Sequence, residues 1–263
     1  MPFATNQGIR IHYEVEGQGP PLVLQYGQYW PLDIWYELNY VSALKKDCKL
    51  ILIDARGHGD SDKPHDPEAY RIELMVKDIV SVLDELGFEK AHYMGYSSGG
   101  YLGFGIAKYA PERCYSLILG GAHPYPNEDS EAAAAWRNEQ IENLEKESTA
   151  DFVEGLEQYL ASEHLPTLSP QMRTRMLTHD TQALIAWLRQ SGKRPSFEDI
   201  LSELSIPCLL YYGEQDAGYS EAQRAAQEIP GGSFVSIPNG GHLEGGTWIN
   251  ILRPYIIQMV KDA

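Results

Sequence analysis

The sequence predicts an α/β fold, with a mostly parallel central sheet, helices on both faces and an inserted helical cap. Three observations predict it. Apolar runs such as Leu50-Ile51-Leu52-Ile53 are short and unbroken, which suits strands covered on both faces. Strand-like runs alternate with stretches of helical spacing, the pattern that builds a parallel sheet through crossover connections. The alternation then stops between His123 and Leu204, where three helical stretches and no strand signal occur.

Residues 9–15, IRIHYEV, alternate apolar and polar side chains, and PPLVLQYG follows a Gly-rich break at 17–19. Together they read as two strands joined by a turn. CKLILIDARGHGDSDKP supplies a third strand ending in a loop dense in Gly and Asp. In RIELMVKDIVSVLDELG, Ile72, Met75, Val76, Ile79, Val82, Leu83 and Leu86 fall at helical spacing, with Gly87 as the stop. AHYMG is the next strand, a helix runs from Ser98 to Tyr109 until Pro111 ends it, and CYSLILGGA is a further strand. Helical stretches are expected over 128–147, 149–163 and 169–192, and acidic residues outnumber basic ones about two to one across 123–200. IPCLLYYGEQD restores the strand signal, GGSFVSIPNGGHLEGG gives a last strand and loop, and a helix runs to the end. The expected organisation is a core of residues 1–122 and 205–263 with a helical cap over 123–204.

Composition narrows the function. A chain of 263 residues can bury a full core as one domain with an insertion. It is 43% apolar and 22% charged, ordinary for a globular protein. The N-terminal residues lack an apolar signal-peptide core, and no run approaches a membrane span, so neither is expected. Cys48, Cys114 and Cys208 are odd in number and sit at the edges of apolar runs. They read as buried thiols in a reducing compartment, which points to the cytoplasm. No Cys-x-x-Cys or His-x-x-x-His spacing occurs, so neither a metal nor another cofactor is expected. A net charge of −16 argues against nucleic acid as a partner, because phosphate backbones require clustered Lys and Arg. Oligomeric state leaves no trace in the sequence.

In an open parallel sheet, ligands bind beyond the carboxyl ends of the strands. The polar residues that follow each strand are therefore the candidates. They are Tyr26-Gly27-Gln28-Tyr29, Asp54, Ser97, His123, Asp216 and His242. A serine, an aspartate and a histidine thus lie in that order along one expected edge. Ser97 sits in Gly95-Tyr96-Ser97-Ser98-Gly99, between a strand and a helix, as a nucleophile elbow requires. Ser98 is a poorer nucleophile candidate, since Tyr96 would then occupy a position that wants a small residue. A dinucleotide enzyme is excluded, because neither this turn nor that of the first strand carries Gly-x-Gly-x-x-Gly.

On DARGHGDSDKP, GYSSGG, GEQD and NGGH, the sequence resembles the α/β-hydrolase superfamily over nearly its whole length. The resemblance implies that Ser97 is the nucleophile, His242 its base and Asp216 the group that orients the imidazole. Glu214, two residues from Asp216, competes for the last role. The backbone N–H groups of Gln28 and Ser98 would form the oxyanion hole. Tyr26 stands where many relatives carry His, a departure that bears on the oxyanion loop and the substrate. Asp54 and His58 would shape the sheet edge. His12, His65, His92, His164 and His179 carry no catalytic signal. Trp35 is placed to anchor a helix, whereas Tyr26, Tyr29, Tyr96 and His123 are candidates for the pocket wall. A serine nucleophile argues against the haloalkane dehalogenase and epoxide hydrolase branches, which use aspartate. The expected reaction is hydrolysis of a small-molecule carboxylic ester or lactone, with bulky or macrocyclic substrates included. Acyl transfer or perhydrolysis by the same triad, and a non-catalytic receptor, are the alternatives.

Overall fold

Eight strands form one sheet in the order β1-β2-β4-β3-β5-β6-β7-β8 in the computed structural model, which describes residues 1–125, 131–146, 148–243 and 247–262. β1 (Phe3–Asn6) and β2 (Ile9–Gly17) make an antiparallel hairpin. Gln7 and Gly8, both at positive φ, give the tight turn whose twist suits a hairpin. β2 pairs antiparallel with β4 (Lys49–Ile53). Every other pairing is parallel, through β3 (Pro21–Gln25), β5 (Ala91–Tyr96), β6 (Cys114–Gly120), β7 (Cys208–Gly213) and β8 (Ser233–Ile237).

The unbroken apolar runs arise because successive strand side chains enter two different cores. On one face Val23, Ile51, Tyr93, Leu117 and Leu210 pack against α3 (Ile72–Glu85), α4 (Ser98–Tyr109) and α9 (Tyr219–Glu228). On the other, Leu22, Leu50, Met94, Ile118 and Leu209 pack against α1 (Ile34–Glu37), α2 (Tyr40–Leu44) and α10 (Ile249–Asp262). Trp35 is fully buried in the second core. Among the described residues no helix is long and apolar enough to cross a membrane. All three cysteines are buried and unpaired.

Between β6 and β7 the described chain is helical. It comprises α5 (Glu131–Lys146), α6 (Thr149–Ser162), α7 (Pro170–Met176) and α8 (Thr181–Ser191). The helix expected over 128–147 is α5, and positions 128–130 and 147 lie outside the described residues. The single helix expected over 169–192 is two. Asp180 adopts an extended backbone and accepts hydrogen bonds from the N–H groups of Gln182 and Ala183, so it caps a new helix rather than continuing the old one. The helix expected around Trp35 is α1, whereas β1, α2 and α9 are not among the expected elements. β1 and α2 carry too few residues to show a period, and α9 turns the small side chains of Ala222, Ala225 and Ala226 to the core, which weakens its apolar signal.

The loop after β4 is pinned from within. The Asp54 carboxylate accepts hydrogen bonds from the N–H groups of Leu32 (2.7 Å) and Asp60 (2.9 Å) and lies 2.7 Å from His12 Nδ1. One buried carboxylate thereby ties the loop after β3 to the loop after β4. Gly59 has a φ of +50, and a Cβ there would fall 2.1 Å from the Asp54 carboxylate. Only glycine fits that turn.

Candidate active site

Ser97 leaves β5 with φ 55 and ψ −120 and caps α4, a left-handed conformation that an L residue adopts only under tight constraint. The constraints are visible. A Cβ on Gly95 would fall 2.2 Å from the Gly99 carbonyl oxygen, and one on Gly99 would fall 2.1 Å from that of Gln25. The elbow is closed on itself and on the end of β3. The Ser97 N–H donates to the Gly120 carbonyl at 2.8 Å, fastening it to β6 as well.

His242 and Asp216 arrive from the loops after β8 and β7. Ser97 Oγ lies 3.0 Å from His242 Nε2, and His242 Nδ1 lies 2.7 Å from Asp216 Oδ2. An ionised carboxylate only accepts, so Nδ1 carries the proton and Nε2 is free to accept from the Ser97 hydroxyl. The second Asp216 oxygen accepts from the Gly218 N–H at 3.3 Å. The Asp216 side chain is 8% exposed and that of His242 is 42% exposed, which leaves the imidazole within reach of water.

Glu214 points elsewhere. Its carboxylate accepts from Ser236 Oγ at 3.0 Å and from the Asn239 N–H at 3.4 Å, which braces the loop leading to His242. The Gln215 N–H donates to the Gly240 carbonyl at 2.9 Å and joins the two loops directly.

The loop after β3 passes over Ser97. A Cβ on Gly27 would lie 2.8 Å from Ser97 Cβ, so the approach requires glycine. Tyr29, at φ 72, donates its N–H to His58 Nε2 at 3.1 Å. His58 Nδ1 lies 3.2 Å from the Arg56 carbonyl and donates to it, which defines a neutral imidazole. Burial holds the pKa of His58 below its ordinary value. The backbone N–H groups of Gln28, which follows Gly27, and of Ser98, which follows Ser97, donate to no acceptor among the described residues.

Tyr96 and Tyr26 are built into the core, at 2% and 8% exposure. Their rings are 5.4 Å apart. The Tyr96 hydroxyl donates to the backbone carbonyl of His242, and its ring lies 5.5 Å from the imidazole. Tyr29 packs on Phe152 of α6. His123 lies behind the acid loop, where a Cβ on Gly218 would meet its ring at 2.9 Å. A cavity of about 210 Å³ opens beside Ser98, lined among others by Tyr70, Glu73, Tyr101, Trp187 and Arg194. Tyr26, Tyr29, Tyr96 and His123 are not on its wall. Helical spacing from Ser97 could have found Tyr101, one turn along α4. Trp187 and Arg194 belong to the insertion, whose docking leaves no local signal.

The insertion is tied to the same loops by Arg175 of α7, whose guanidinium lies 3.0 Å from the Asp33 carboxylate and 2.9 Å from that of Asp60. His179 is buried beside them, and that burial pulls its pKa down to about 3.

Residues 20–244 match the family model described as the alpha/beta hydrolase fold. The "Putative 2-succinyl-6-hydroxy-2,4-cyclohexadiene-1-carboxylate synthase" of Bacillus subtilis is 28% identical, over 91% of this chain and 90% of its own. Epoxide hydrolase 4 of Mus musculus is 27% identical, over 96% of this chain and 75% of its own. Among solved structures, a thermophilic esterase from Thermogutta terrifontis with malate bound superposes with a TM-score of 0.80 at 26% identity, covering 98% of this chain and 96% of that one.

Proposed function

Because the chain belongs to the α/β-hydrolase fold family, we propose that it is a serine hydrolase of carboxylic esters or lactones, working through an acyl-enzyme on Ser97. The observation that carries the reading is the unbroken line of contacts from Ser97 Oγ through His242 to Asp216. As the substrate carbonyl approaches, Oγ attacks its carbon and His242 Nε2 takes the hydroxyl proton. Asp216 stabilises the imidazolium so formed. The tetrahedral oxyanion receives the two free N–H groups of Gln28 and Ser98, and each such donor is worth ~10²–10³ in turnover. Collapse expels the alkoxide, which His242 protonates. Water then enters at the exposed imidazole, gives its proton to His242 and attacks the acyl carbon, and the acid leaves as Ser97 regains its proton.

The esterase of Thermogutta terrifontis supports this reading. The epoxide hydrolase name of a relative does not carry over, since the corresponding branch uses aspartate where Ser97 stands. In this reading residues 123–204 act as a cap that selects substrate. The cavity of about 210 Å³ beside Ser98 would, in this reading, hold the part of the substrate remote from the bond that is cleaved.

The test is labelling by a fluorophosphonate, with the modified peptide mapped by mass spectrometry in wild type, Ser97→Ala and His242→Ala. Rapid labelling at Ser97 that slows without His242 is expected. Folded wild type that stays unlabelled, or is labelled elsewhere, would overturn the proposal.

A further inference from the structure

The cavity beside Ser98 has a cation on its wall that forms no ion pair among the described residues. Arg194 follows α8 and is partly buried. Its guanidinium carbon lies 4.8 Å from the Tyr101 ring centre and 5.1 Å from that of Trp187. These two rings hold a planar group that carries five N–H donors in a fork matched to a carboxylate. Yet among the described residues no carboxylate lies within ion-pair distance of Arg194, and no acceptor takes its hydrogen bonds. The other cations on the same wall differ. Lys193 and Arg71 both turn to Glu68, at 3.4 and 3.9 Å. Glu73 also lines the cavity but makes no ion pair with Arg194.

None of the Arg194 nitrogens is among the fully buried donors left without a partner, so the guanidinium faces the solvent of the cavity, where an anion can reach it. Burial, helped by the nearby charge of Arg137, pulls the guanidinium pKa down to about 10. An anion placed in the cavity would relieve that penalty.

We infer that Arg194 receives a carboxylate of the substrate, so that the ester or lactone attacked by Ser97 carries a free acid group at its far end. The inference rests on the serine-hydrolase reading and names the substrate class of that site. Tyr101, beneath Arg194, stands one helical turn from Ser97, a rise of about 5.4 Å, which suits about two to four atoms between carbonyl and carboxylate. With a net charge of −16, the protein as a whole repels anions, so any preference for them must come from a local cation.

The experiment compares p-nitrophenyl hemiesters of succinate, glutarate and adipate with the uncharged p-nitrophenyl butyrate, valerate and hexanoate. In wild type, kcat/KM should favour the acidic member of at least one pair by ~10–100-fold, as a charge-assisted bidentate contact would give. In Arg194→Gln that ratio should collapse toward one, and Arg194→Lys should restore only part of it, lacking the fork. Fluorophosphonate labelling of Ser97 in each variant reports whether the site is intact. Labelled enzyme that turns over both members of every pair equally would overturn the inference while leaving the hydrolase reading standing. Should wild type be neither labelled nor active, the hydrolase reading fails. Calorimetry with adipate then decides the subsite, with binding to wild type but not to Arg194→Gln supporting it and no binding to wild type refuting it.

Discussion

Gly27 and Ser97 approach so closely that a methyl group on Gly27 would stand 2.8 Å from Ser97 Cβ and 3.2 Å from Oγ. The first neighbour is part of a strained elbow and cannot yield. Gly27→Ala should therefore push the loop off Ser97 and move the Gln28 N–H. Loss of that donor predicts a fall in kcat of ~10²-fold or more, with the thermal midpoint changed far less. Ester turnover and melting measured side by side would check this, and a variant with wild-type kcat would refute it.

Asp216→Asn should leave the fold intact and still disable the imidazole. An amide can donate to Nδ1 and so favour the tautomer whose proton sits on Nε2, where it blocks acceptance from Ser97. The loss expected is ~10⁴-fold in kcat. Glu214→Gln should do much less to turnover, since Glu214 contacts Ser236 and Asn239 rather than His242. Equal losses in the two variants would contradict the assignment.

Three buried histidines make stability depend on acid. Burial lowers the pKa of His58, takes His92 down to about 4 and His179 down to about 3. Each binds fewer protons folded than unfolded. Their contribution is thus fully present above the ordinary value of 6.5 and is lost as the pH falls from there toward the folded pKa. Each costs up to ~1.4 kcal/mol per pH unit across that interval. For a chain of this size that corresponds to roughly 2–4 °C per kcal/mol in the melting temperature. Melting curves from pH 7.5 to 4.5 should show the decline, and His92→Gln should flatten it. A wild-type midpoint that does not move would count against buried neutral imidazoles.

Arg175→Met should loosen the insertion. It removes charge-assisted hydrogen bonds to Asp33 and Asp60, groups that are each less than a third exposed. A loss of about 2–3 kcal/mol is expected. Limited proteolysis should cut sooner within 148–191 than in wild type. Unchanged cleavage would show that apolar packing alone holds the insertion.

Much of this architecture was legible from residues alone, because the sheet strands announce themselves as double-faced apolar runs and α3 by its period. The residues of the triad contact were legible for a different reason, as each follows a strand end directly. What escaped was set by tertiary contact. Asp180 breaks the helix expected over 169–192 by capping the following turn, a choice that Leu177-Thr178-His179 does not dictate. Tyr96 and Tyr26 read as pocket candidates from adjacency to Ser97 and Gln28, yet their strand-side positions turn them into the core. Arg194 could not be singled out among the cations of the insertion, since its meaning depends on which carboxylates lie nearby in space.

The hydrogen bond from Tyr96 to the His242 carbonyl carries a consequence for how such a chain can diverge. The neighbour of Ser97 holds the backbone of His242, so both are measured from one datum at the centre of the sheet. Errors accumulated along β7, β8 and their connections do not propagate into the Ser97–His242 spacing. Insertions in the turn at residues 230–232, between α9 and β8, should therefore be tolerated by chemistry far better than any change of the phenol at position 96. Site alignment is in that sense a local property of a chain whose partners lie 145 positions apart.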